Sequence, residues 1–126
     1  MLNKAEIMCF LTTTDAVRAR DFYENVLGLK FLEDSPFAIV FVANGTMLRI
    51  QKTEKHTPLK TTSLGWKVDD IHREINALSA KGVQFERYER LQQDDAGIWT
   101  TTDGARVAWF KDPDGNTLSL TEWPGT

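Results

Sequence analysis

Apolar and polar positions along this chain alternate between two periods. Ile7 to Thr13 is a short apolar and β-branched run, as a strand requires, and Asp15 follows where a helix N-cap would stand. From there Ala16, Ala19, Phe22, Tyr23, Val26 and Leu27 recur at three- and four-residue steps, while Arg18, Arg20, Asp21 and Glu24 lie largely off that stripe. The spacing predicts a helix over 16–27, with Gly28 as its C′ residue. Strands are predicted over 29–33, 37–43 and 46–52, the last two joined by a tight Asn44-Gly45 turn. Residues 53–62 are polar and turn-prone and read as a linker. The pattern then restarts. A strand over 63–68 leads to Asp69 or Asp70 as cap and to a helix over 71–81 with Ile71, Ile75 and Leu78 on one face, which Gly82 closes. Further strands are predicted over 83–88, 97–102, 105–111 and 117–123, with turns at Asp103-Gly104 and over 112–116.

The restart is a repeat in residues as well as in pattern. Asp15, Gly28 and Phe31 are echoed at the same spacings by Asp69, Gly82 and Phe85, and residues 44–51 are echoed by 114–121. The offset grows from 54 positions in the first echo to 70 in the second, which places an insertion near residues 87–104. Two copies of one βαβββ module, 7–52 and 63–123, are therefore expected to share a core in a single α+β domain over 1–126, with function in the space between them.

Composition narrows the function classes. Fifteen basic against eighteen acidic residues give a net charge of −3 and no basic stripe, which argues against nucleic acid. No apolar run approaches membrane-spanning length, and residues 1–6 lack a basic region followed by an apolar one, so a cytoplasmic protein with no membrane partner is expected. Cys9 is the only cysteine and lies between Met8 and Phe10 as a small core residue, which excludes an internal disulfide or a cysteine-cluster metal site.

Three segments in order, Asp15 through Phe22-Tyr23 to Leu27-Gly28-Leu29, Trp66-Lys67-Val68-Asp69-Asp70, and Phe110 to Asn116, make the chain resemble the vicinal oxygen chelate superfamily. That superfamily includes glyoxalase I, extradiol dioxygenases and bleomycin-resistance proteins. The resemblance implies two βαβββ modules whose mixed sheets curve into a cup, with helices outside, a small-molecule site inside and a homodimer in many members. In metal-dependent members it also implies up to four His, Glu or Gln ligands, one from each of four strands. Counted from the matched anchors, those positions fall at Met8, Arg49, Ser63 and Ser119. A thioether, a permanent cation and two hydroxyls are not a divalent-metal set, so neither metal nor cofactor is expected. Glu122 lies three residues beyond Ser119, on the opposite face of its strand, and His56 and His72 read as solvated residues of the linker and second helix.

Strand alternation then predicts the lining. Met8, Phe10 and Thr12, then Met47, Arg49 and Gln51, would face inward from the first module, and Ser63, Gly65, Lys67, Thr117, Ser119 and Thr121 from the second, while Cys9, Leu11, Leu48, Ile50, Leu64, Trp66, Val68, Leu118 and Leu120 face the helices. Arg49 offers a forked cation to a carboxylate, phosphate or enolate oxygen, Met8, Phe10 and Met47 an adaptable wall, and Trp99 in the insertion a stacking surface, with Trp109 near it. The lining holds no carboxylate or histidine to act as acid or base, so catalytic residues are unassigned and binding is favoured over turnover. The expected function is a metal-free binding or resistance protein for a small planar or anionic compound, using Met8, Phe10, Met47, Arg49, Gln51, Ser63, Lys67, Trp99, Ser119 and Thr121. Two alternatives stand beside it: a metal-dependent lyase or dioxygenase with ligands outside this register, and a non-catalytic interaction module.

Overall fold

A computed structural model describes residues 1–125, which form two compact units divided between Pro58 and Leu59, inside the polar stretch read as a linker. In the first unit β1 (Met8–Thr13) leads through α1 (Ala16–Asp21) to β2 (Lys30–Asp34), β3 (Ala38–Ala43) and β4 (Thr46–Lys52). The sheet order is β1-β4-β3-β2, with β1 parallel to β4 and the other pairs antiparallel. Asp15 caps the helix as expected, its carboxylate accepting the Arg18 N–H at 3.2 Å.

The second half of the expected helix, Phe22–Val26, winds as a wider π turn, in which the Leu27 N–H reaches the Phe22 carbonyl at 2.9 Å. Phe22 and Tyr23 then meet edge to face at 5.2 Å, and the fully buried Tyr23 packs on Phe41, which also meets Phe31. Those rings identify the helix-bearing face of the sheet. Asn44 and Gly45 both take positive φ in the β3–β4 hairpin, the geometry that favours this dipeptide.

The second unit repeats the plan. β5 (Leu64–Lys67), α2 (Ile71–Ala80), β6 (Trp99–Thr100), β7 (Arg106–Lys111) and β8 (Thr117–Glu122) give the order β5-β8-β7-β6, with β5 parallel to β8. Of the two candidate caps it is Asp70 that accepts the Arg73 N–H, at 3.1 Å. Phe110 meets Trp66 and Phe85 to form the aromatic part of this core, with Leu118 and Ile71 fully buried. Asp112, buried in the turn before β8, accepts the N–H groups of Asp114 and Asn116 and the Asn116 side-chain amide, each at 2.9 Å, so one carboxylate holds the whole turn.

Two strand expectations fail here. Residues 83–88 form no strand, and the strand predicted over 97–102 contracts to Trp99–Thr100. The insertion explains both. The Gln93 side chain accepts the Tyr88 N–H at 2.7 Å and donates to the carbonyls of Glu86 and Gly97 at 2.9 and 2.8 Å. One amide thus satisfies backbone groups that a neighbouring strand would otherwise pair, and among the described residues a single backbone hydrogen bond, from the Glu86 N–H to the Trp109 carbonyl at 2.7 Å, ties this stretch to β7. Phe85 still packs on Phe110, so the side-chain pattern of a strand survives without its ladder.

Replacing Gln93 by Ala leaves three backbone groups without their partner, and Gln93→Glu keeps the acceptor but removes both donors. Each variant is expected to lose about 2 kcal/mol of unfolding free energy in urea, with Gln93→Glu no better than Gln93→Ala.

Candidate functional site

Residues opposite one another in a ladder share a face of the sheet, so the register decides which side chains meet. In the first unit Met8 lies opposite Met47, Phe10 opposite Arg49 and Thr12 opposite Gln51, and β3 adds Val42, Val40 and Ala38 in the same rows. All of these lie on the face opposite Tyr23 and Phe41, the face expected for them. Arg49 is half-buried at the centre, between Phe10 on one side and Val40 on the other. Among the described residues no acid lies within ion-pair distance of it, and its guanidinium makes no hydrogen bond. Phe10 is 53% exposed and Met8 47%, a large apolar surface beside a cation.

Glu33 lies on this face too, a residue absent from the expected lining. The β2 ladder shifts register between Phe31, opposite Phe41, and Glu33, opposite Val40. Leu32 is passed over, and the bulge turns Glu33 into the row of Val40, Arg49 and Phe10. Val40 separates the two charges across the sheet, and no ion pair forms. Bulges leave no periodic trace, so nothing in the pattern pointed to Glu33.

In the second unit Gly65 and Trp109 flank Ser119, and Lys67 and Val107 flank Thr121, with Trp99 opposite Val107. Ser63 extends this face at the β5 end, its N–H bonding the Thr117 carbonyl at 2.8 Å. The expected residues Ser63, Lys67, Trp99, Ser119 and Thr121 therefore belong to one sheet face, but not with equal access. Ser119 is buried, and its hydroxyl occupies the space over Gly65, where a Cβ would stand 2.6 Å from it. Trp99 and Trp109 lie 6.2 Å apart and 31° from parallel, and Tyr88 meets Trp109 edge to face at 5.6 Å. The Trp109 indole N–H donates to the Thr62 hydroxyl at 3.1 Å. Trp99, half-buried, is thus part of an aromatic cluster of its own unit.

The metal set implied by the fold does not fit these residues. Met8, Arg49, Ser63 and Ser119 occupy the counted positions, and a guanidinium repels the ion that three such neighbours could not hold. Glu122 lies on the helix side of its sheet, where it accepts the Ile71 N–H at 3.0 Å and faces Arg106 at 3.8 Å. His72 is exposed on α2, while His56, expected to be solvated, is half-buried and engaged in an interaction. Among the described residues no three His, Cys, Asp or Glu side chains come together to hold a metal ion.

The model of the Glyoxalase/Bleomycin resistance protein/Dioxygenase superfamily matches residues 6–120. The chain belongs to that superfamily. Among solved structures, a superfamily member from Sphaerobacter thermophilus is 23% identical, with a TM-score of 0.74 over 97% of this chain and 99% of that one. TnmS3, an antibiotic-binding protein from Streptomyces sp. CB03234, is 22% identical, with a TM-score of 0.73 over 97% and 98%. The lactoylglutathione lyase of Agrobacterium tumefaciens is 17% identical, with a TM-score of 0.72 over 94% and 93%. At these identities the likeness is one of fold, an α+β arrangement of mixed four-stranded sheets. No curated protein matches the sequence. Among the described residues of this superfamily member no helix is long and apolar enough to cross a membrane.

A half-buried cation without a partner is a cost to folding that a binding role would explain. Arg49→Met keeps the aliphatic stem and removes the charge. It is expected to unfold at the same urea concentration as the parent or a higher one, by up to about 1 kcal/mol in stability. A loss of 2 kcal/mol or more would show that Arg49 has a structural partner.

Proposed function

We propose that this protein binds a small planar or anionic molecule on the sheet faces opposite its helices, without a metal ion, as a cytoplasmic binding or resistance protein rather than a lyase or dioxygenase. Arg49 carries the reading: a half-buried guanidinium, unpaired among the described residues, beside the exposed ring of Phe10. A fork of fixed donors on an apolar floor suits a carboxylate, phosphate or enolate attached to a flat skeleton. Met8 and Met47 adapt that floor to different shapes, and Gln51 adds an amide further along β4. Ser63, Lys67 and Thr121 give the second unit's face hydroxyls and a cation of its own. Met8, Arg49, Ser63 and Ser119 at the counted ligand positions support a metal-free state. The antibiotic-binding function of the TnmS3 neighbour is consistent with such a role on this fold. Ile7, Met8 and Phe10, all exposed on or beside the edge strand β1, support a homodimer in which a second copy covers apolar surface.

Two measurements test the reading. Zinc, nickel, manganese and ferrous iron, titrated separately, are expected to leave the thermal midpoint unchanged. A stoichiometric metal with a clear upward shift would return the protein to the metal-dependent class. In a screen of aromatic and aliphatic anions by calorimetry, at least one is expected to bind about tenfold more weakly to Arg49→Ala than to the parent. Equal affinity of every ligand for parent and variant would remove Arg49 from the site. Sedimentation of the parent and of Phe10→Asp tests the dimer, which the charge should dissociate.

A further inference from the structure

A recess of about 190 Å³ lies wholly within the second unit, lined by Lys60, Thr62, Tyr88, Arg90, Trp109 and Thr117 among others. It draws on residues that the reading of Arg49 does not use. Its walls are aromatic and fixed. Tyr88 stands edge to face with Trp109 at 5.6 Å, the Trp109 indole N–H is tied to the Thr62 hydroxyl, and the Tyr88 N–H is tied to Gln93. Its two cations, in contrast, are exposed at the rim. Neither Lys60 nor Arg90 has an acidic partner among the described residues, whereas the nearby Glu86 already faces Lys111 at 3.5 Å. The Arg90 guanidinium lies 5.5 Å from the centre of the Tyr88 ring, which holds it over the recess wall, and the Tyr88 hydroxyl has no hydrogen-bond partner among the described residues.

We infer that this recess is a binding site for a small aryl carboxylate, with the ring against Tyr88 and Trp109 and the carboxylate between Lys60, Arg90 and the Tyr88 hydroxyl. Size agrees with one ring. An apolar cavity of about 150 Å³ accepts benzene, and the extra space here suits a carboxylate on it. Charge agrees as well, because two unpaired cations and a phenol are all donors and a carboxylate is only an acceptor. Burial, and after it the Glu86 charge, raise the Tyr88 phenol above its usual range, against the opposing pull of Lys111 and Arg90, so it is a donor at neutral pH. The recess exists because residues 83–88 leave the ladder. Held by Gln93 instead of a strand partner, the chain carries Tyr88 and Arg90 to the edge of Trp109.

The test is a titration of the full chain with benzoate, followed at the Trp109 indole N–H in ¹H–¹⁵N spectra, with the resonance assigned from Trp109→Phe. A saturable shift is expected for benzoate. Benzyl alcohol, which has the ring without the charge, and cyclohexanecarboxylate, which has the charge without the flat ring, should each bind at least about tenfold more weakly. The double variant Lys60→Gln/Arg90→Gln should lose about tenfold or more in benzoate affinity, and Tyr88→Phe a few-fold with the ring wall retained. Arg49→Ala should leave the titration unchanged. No saturable shift, equal binding of cyclohexanecarboxylate, or undiminished binding by the folded double variant overturns the proposal. A loss caused by Arg49→Ala also overturns it, and would assign benzoate to the Arg49 face. A proposal failing here with Arg49-dependent binding intact leaves the other reading standing, and the reverse result does the opposite.

Discussion

In each unit the first strand lies parallel to and beside the last, and a parallel pair cannot be joined by a hairpin. The chain has to leave the sheet, cross it as a helix and return through two antiparallel strands before the pair can close. That crossover covers one face with α1 or α2 and leaves the other for other work. The period-two alternation of β1, β4, β5 and β8 then sorts every side chain. Leu11, Leu48, Ile50, Leu118 and Leu120 are buried under the helices, while Phe10, Arg49, Lys67 and Thr121 face away. Chemistry on the outward face can change without disturbing the core because the two sets of positions never exchange.

The repeat shows how far such change has gone. Arg49, with Phe10 and Val40 as neighbours, has Ser119 as its counterpart, with Gly65 and Trp109 as neighbours. One copy keeps a cation on an aromatic edge, and the other replaces the cation with a small hydroxyl and gives its bulk to a tryptophan on the opposite side. Gly65 makes room for the Ser119 hydroxyl, so the missing side chain on β5 and the buried serine on β8 form one packing solution.

Legibility in the sequence followed the range of the forces involved. The caps at Asp15 and Asp70, the Asn44-Gly45 turn and the face shared by Met8, Phe10, Met47 and Arg49 were readable because each rests on neighbours within a few residues or on strict alternation. Residues 83–88 looked like a strand because the apolar pattern around Phe85 is a strand pattern, and its packing on Phe110 honours that pattern. The backbone went elsewhere because the Gln93 amide satisfies it from seven and five residues away, a geometry with no periodic signature. Glu33 was hidden for a related reason. A single bulged residue reverses parity, and parity was the whole basis for sorting faces. The recess beside Trp109 follows from both the insertion and the lost ladder, so nothing in the periodic pattern marked Lys60, Tyr88 and Arg90 as neighbours.

The edges of the two sheets are also unequal. β2 ends its sheet with Lys30, Glu33 and Asp34 around a bulge, and β6 is two residues long. Neither offers a stranger's strand a flat, apolar row of free amides, the template on which fibrils grow. β1, six residues long and carrying Met8 and Phe10, does offer one. A sheet with one adhesive edge and one blunted edge has nowhere to add a third layer. Growth of a fibril needs both edges of a sheet, and the sheet of the first unit offers it one.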